Sequence, residues 1–176
     1  MKKVMLLTIF AALMMISSAA VAQTATGTLT VTATVNGSIQ LVFNSDAAGV
    51  ALSSGAGTNT ATLAFGNVSA FGPIAAGIVR STTATNFTVS SAVDVLVSKT
   101  NSASANYTLK AQLGSADAVN TWAVGGVAVT SAAQSTLTAT GAYGSNSNFP
   151  VAITIPFTTA SGTLISNTIN YTATAN

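Results

Sequence analysis

Thr28–Phe43, TLTVTATVNGSIQLVF, alternates apolar and polar residues on both sides of an Asn-Gly pair. Asn-Gly is a strong local signal for a two-residue hairpin. Such a turn at Asn36-Gly37 would pair Val35 with Ser38 and Ala33 with Gln40. Ile39, Leu41 and Phe43 would then face away from Leu29 and Val31. Yet the odd positions stay apolar from 29 to 43, Gly37 apart, with no change of phase. A slip of one residue turns a whole apolar set to the wrong face. Each misplaced Ile, Leu or Phe forfeits about 1.5–3 kcal/mol, more than a turn preference supplies. Two solutions remain. One is a three-residue connection with a bulge; the other is a break between two successive strands, the first of which pairs elsewhere.

The same test gives the opposite answer at Gly125-Gly126. In WAVGGVAV, residues 122–129, a two-residue turn pairs Val124 with Val127 and Trp122 with Val129, placing all four on one face. Pattern and turn agree, and a hairpin is expected there. Period-two alternation recurs at Ala61-Leu63-Phe65, Tyr107-Leu109-Ala111-Leu113, Val151-Ile153-Ile155-Phe157 and Ile169-Tyr171-Ala173-Ala175, with Thr and Asn between. These read as strands with one wet face. Phe87–Val97 is more uniformly apolar and reads as a central strand. Segments rich in Gly, Ser, Asn and Pro at 46–59, 70–85 and 141–150 read as loops. The expectation is a single antiparallel all-β sandwich, immunoglobulin-like or Greek-key, of about eight to ten strands.

The N-terminus has a different character. Lys2 and Lys3 precede an apolar run from Val4 to Ile16, and Ala20-Val21-Ala22 supplies a small-residue cleavage site. Residues 1–22 are expected to be a secretory signal peptide and residues 23–176 the exported domain, with no stable membrane insertion after cleavage. The destination is the periplasm, the extracellular space or the cell surface. The net charge of +2 comes from the two signal lysines. Beyond them Arg80, Lys99 and Lys110 balance Asp46, Asp94 and Asp117. Nucleic-acid binding needs a basic face to neutralise phosphates, and three scattered cations do not form one. Near-zero charge also removes the repulsion that keeps copies apart.

If the break at Asn36-Gly37 is the solution, residues 23–35 form a candidate arm that donates a strand, with Leu29, Val31, Ala33 and Val35 as its apolar face. Burying those side chains alone does not offset the entropy of ordering the segment. The arm therefore needs ladder hydrogen bonds in a sheet, its own or a neighbour's; the general rule favours its own. LAFGNV, Leu63–Val68, resembles the L-x-F-G-x-V signature of secreted pilin-like β-sandwiches, including spore-coat-U-type and related fimbrial domains. The resemblance covers the N-terminal third and the last strand. It implies an edge-open immunoglobulin-like sandwich, export, and assembly into surface fibres by strand donation. The chain departs from that group in lacking a cysteine pair and in ending YTATAN, where chaperone-engaged pilins carry a penultimate aromatic. Read from the residues alone, Phe65-Gly66 is an inward aromatic followed by a turn glycine.

The chain contains no His, Cys or Glu. Triads of the Ser-His-Asp or Cys-His type are excluded, as is His or Cys ligation of zinc or haem. Three aspartates give a weak start for carboxylate-pair chemistry. No phosphate-binding glycine loop or dinucleotide fingerprint occurs. No catalytic residue, metal ligand or cofactor is assigned. Trp122, Tyr107 and Tyr171 fall on inward phases, whereas Tyr143 lies in a Gly-Ser-Asn loop and is the candidate exposed ligand contact. The sequence thus suggests a non-enzymatic structural or adhesive cell-surface protein, a fibre subunit whose partners are copies of itself or other surface subunits. The alternative is a stand-alone binding module for carbohydrate or another surface ligand, acting through the 141–150 loop.

Overall fold

The structure is a computed structural model that describes residues 26–176. The signal peptide expected over residues 1–22, and residues 23–25 of the candidate arm, lie outside the described residues. Eleven strand segments follow Gly37: β1 (Ser38–Ser45), β2 (Val79–Thr82), β3 (Asn86–Ser91), β4 (Val93–Thr100), β5 (Tyr107–Leu113), β6 (Thr121–Val124), β7 (Val127–Val129), β8 (Ser135–Gly141), β9 (Asn146–Asn148), β10 (Val151–Pro156) and β11 (Ile169–Ala175). They form three antiparallel sheets, ordered β1-β4-β9, β2-β3-β10-β6-β7 and β11-β5-β8. No helix occurs among the described residues.

The first two sheets are linked by one bent pair of strands. Ser91 faces Val151 across β3–β10, and Asp94 faces Asn148 across β4–β9. The register therefore runs on unbroken through Ala92 and Pro150, where the pair passes from one sheet to the other. Pro150 has no N–H to give, which suits a position where the ladder parts. The apolar phase also carries across: Phe87, Val89, Val93, Val95 and Val97 are all buried. Counted this way, the eleven segments are nine passes of the chain. Ser91 is the buried polar residue at this corner, and its Oγ accepts a 2.7 Å hydrogen bond from the Val50 N–H.

The third sheet closes the core as a second layer. Its central strand β5 buries Tyr107, Leu109, Ala111 and Leu113, as the alternation predicts. Tyr107 and Leu109 pack with Val95 and Val97 of β4. Ala111 and Leu113 pack with Val89, Trp122, Val124, Ile153 and Ile155 of the five-stranded sheet. The fold is thus an all-β, sandwich-like domain, with strands that turn corners between sheets.

Both turns in question are settled. At Gly125-Gly126 the strands pair Trp122 with Val129 and Val124 with Val127. Both glycines have positive φ, 57° and 79°, as a type I′ turn requires. At Asn36-Gly37 there is no hairpin: residues 26–37 belong to no strand, and β1 starts afresh at Ser38 to pair with β4. Gly37 is needed for close approach, since a Cβ there would lie 2.7 Å from the Asn101 carbonyl oxygen.

Three local expectations change. Residues 61–65 do not form a strand; a single bridge joins Ser54 and Thr62, while Leu63 and Phe65 still alternate inward and pack on the core. The expected loops at 70–85 and 141–150 contain the short strands β2 and β9. Phe157 leaves the inward phase of β10, because the strand ends at Pro156 and the chain turns.

Candidate functional site

The candidate donor segment precedes β1 and, among the described residues, belongs to no strand, so the pairing within its own sheet that the general rule favours is not formed. Leu29 is 88% exposed, Val31 81% and Val35 73%; Ala33 is exposed as well. The chain divides into two units between Thr34 and Val35. Within residues 26–37 no charged side chain occurs. The segment keeps the alternation of a strand without the ladder of one.

Tyr143 is half-buried. Its hydroxyl donates to the Asn106 carbonyl at 3.1 Å and lies 3.2 Å from Ser104 Oγ. Its ring packs 5.2 Å from that of Tyr107, and Lys99 Nζ stands 5.0 Å above it while donating to the Ser104 carbonyl. These contacts tie the loop to the start of β5.

The three aspartates do not converge. Asp46 and Asp94 both accept from Asn148 Nδ2, at 2.7 and 3.4 Å, on the solvent face of the β1-β4-β9 sheet. Asp117 sits in the turn before β6. It accepts from the Val119 and Asn120 N–H groups, from the Asn120 side-chain amide, and from Trp122 Nε1 at 2.8 Å. Burial pushes its carboxyl up, but these donors outweigh that and hold it at about 2. The anion here anchors the indole of a core tryptophan.

A second feature was not legible beforehand. Beyond β1, exposed large apolar residues include Phe71, Ile74, Val79, Phe157 and Leu164. Phe157 stacks 6.3 Å from Phe87 and lies 6.1 Å from Phe71. Phe157 also lines an open groove of about 250 Å³ with Val68, Ala70, Phe87, Ile155 and Ile165, and the Thr159 hydroxyl at its wall has no hydrogen-bond partner among the described residues. Arg80 of β2 holds the groove's flanking loop, donating to the carbonyls of Ser69 and Gly72, both at 2.9 Å. Among the described residues β2 is an edge strand, paired with β3 alone. Sequence gave little warning, because Val79 and Phe71 lie in a stretch read as loop and Phe157 in one read as inward.

The fold defines an all-β, sandwich-like class of protein. No known protein family, curated protein or solved structure matches the chain.

Proposed function

We propose that this is a secreted, non-enzymatic structural or adhesive cell-surface protein, a fibre subunit that assembles by adding its N-terminal segment as a strand to a neighbouring copy. One observation carries the reading: the segment around Leu29–Val35 is alternately apolar, uncharged, exposed and unpaired. A segment of this pattern gains by entering a sheet, where its backbone groups find partners and its apolar side chains leave water. The neutral charge balance of the exported chain offers no long-range repulsion between copies.

The test is electron microscopy of cells expressing the protein, with sedimentation of the purified mature chain. Filaments or ladders of oligomers are expected, and deletion of residues 24–35 should leave soluble, less stable monomers. A mature protein that stays monomeric at high concentration, with residues 24–35 protected from proteolysis, would refute strand donation.

A further inference from the structure

We infer that Asn36 is a modification site: its side chain cyclises onto the Gly37 backbone nitrogen and is converted, without an enzyme, to aspartate and isoaspartate. The inference stands on the break before β1 and holds whether or not residues 23–35 enter a sheet.

The step balances with water alone. The Gly37 N–H loses its proton to solvent base, and the nitrogen attacks Asn36 Cγ. An N–Cγ bond forms, the Cγ–Nδ2 bond breaks, and ammonia leaves. Water then opens the five-membered imide. Opening at the side-chain carbonyl restores the ordinary backbone with aspartate at position 36. Opening at the backbone carbonyl leaves isoaspartate, whose backbone runs through the side chain and is longer by one atom. The reacting groups are neighbours, so proximity is built in once the dihedrals let the nitrogen face Cγ. The step therefore needs free rotation and a successor without a Cβ in the way, which is glycine.

Asn36-Gly37 is the one Asn-Gly pair in the chain; every other asparagine with a successor is followed by Ser, Thr, Val, Phe or Tyr. A type I′ hairpin would have fixed the dihedrals of both residues. Instead both are exposed and outside any strand, and the β1 ladder begins at Ser38. Among the described residues the Gly37 N–H is in no backbone hydrogen bond. The Asn101 carbonyl approaches Gly37 where a Cβ would stand, which leaves the nitrogen open. The rivals in sequence are the Asn-Ser pairs at 44, 101 and 146. Asn44 and Asn146 are locked in β1 and β9, where Asn44 Nδ2 donates to Asn146 Oδ1 at 3.0 Å and Asn146 Nδ2 donates to Asp94 at 3.2 Å. Asn101 is held at a φ of 54°. The product matters for where its charge falls. Residues 26–37 carry no charged side chain, and Arg80, Lys99 and Lys110 balance Asp46, Asp94 and Asp117. Each converted copy gains a negative charge in the segment that had none, and the extra backbone atom of isoaspartate lies before the first ladder pair of β1.

The test follows each asparagine of the mature protein by peptide mass spectrometry in water enriched in oxygen-18. Folded protein and protein held unfolded in guanidinium are incubated side by side in mildly alkaline buffer. Asn36 should convert in the folded protein within threefold of its unfolded rate, take up the solvent label, and yield isoaspartate that an isoaspartyl methyltransferase marks. Asn44 and Asn146 should convert at least tenfold more slowly folded than unfolded. Mildly acid buffer should slow Asn36 at least tenfold, because the Gly37 nitrogen must first lose its proton. Asn36→Gln, at an exposed position outside every strand, should remove the main acidic form on ion exchange and leave Tm unchanged. An Asn36 that keeps its amide in the folded protein, whatever the unfolded chain does, would overturn the inference. So would folded protein in which conversion is spread equally over Asn36, Asn44, Asn101 and Asn146.

Discussion

Tyr107→Phe should make the protein more stable. Tyr107 is fully buried at the start of β5, and its hydroxyl has no hydrogen-bond partner among the described residues. Its ring lies flat over Gly141, where a Cβ would stand 2.3 Å from the ring's Cζ. The pairing of β5 with β8 shifts register just beyond it, between Tyr107 and Leu109. A buried polar group without a partner costs about 1–3 kcal/mol relative to its hydration in the unfolded chain. Removing one oxygen gives back that cost and forfeits only a few dispersion contacts of about 0.1–0.2 kcal/mol each. The net gain expected is about 1 kcal/mol, which for a domain of this size raises Tm by about 2–4 °C. Urea unfolding at a fixed protein concentration checks it, because association would otherwise shift the midpoint. The midpoint should rise with the slope unchanged. A midpoint that falls by the equivalent of 1 kcal/mol would show that the hydroxyl holds a hydrogen bond in the folded protein, and the packing argument at Gly141 would fail with it.

Three more outcomes follow from single contacts. Gly125→Ala places a Cβ 2.9 Å from the Phe149 ring at a φ of 57°, and should cost about 1–3 kcal/mol, whereas Gly126→Asn, with open space and a φ that Asn tolerates, should stay within about 1 kcal/mol by thermal unfolding. Ser91→Ala removes the acceptor for the Val50 N–H and should cost about 1–3 kcal/mol, with faster proteolysis in the 46–52 loop. Asp117 has a folded pKa below its ordinary value, so its contribution is fully present above about pH 4 and is lost as pH falls toward about 2. Screened by solvent at this half-buried site, that contribution is about 1 kcal/mol, and Asp117→Asn should flatten the acid limb of stability measured between pH 5 and 2.

What could be read in advance depended on whether a residue's neighbours in sequence were also its partners in space. Trp122–Val129 is a local pair, so turn chemistry and alternation agreed and the register followed. β5 was legible for a similar reason: four inward residues at strict spacing leave one way to face a core. The β2 strand was hidden because VRST offers no alternation strong enough to outweigh the Gly-rich chain before it; it exists because β3 provides an edge. The passage of β3 into β4 left no mark in the pattern either. Phe87 to Val97 keeps one phase, and only the missing N–H of Pro150 on the opposite strand hints at a corner. At the candidate site, the break before β1 was visible through the conflict of phase at Asn36-Gly37. The groove was not, since Phe71 and Phe157 come from turns that sequence places far apart and the fold brings within 6.1 Å.

The disposition of charge joins these observations. Exposed sheet edges are commonly kept from pairing with other chains by lysines, prolines or bulges placed along them. β2 carries one charge, Arg80, and it is turned back on the 69–72 loop, where two carbonyls hold it. Lys99, near the end of β4, is likewise committed, to the Ser104 carbonyl and the face of Tyr143. Both cations staple loops instead of guarding edges. The residue facing outward beside Arg80 is Val79, 68% exposed. An edge strand whose one charge is held by its own loop has little to keep another strand from pairing with it. Val79→Lys would guard the β2 edge while leaving every buried contact in place, so a change in association without a change in Tm would belong to the edge and not to the fold.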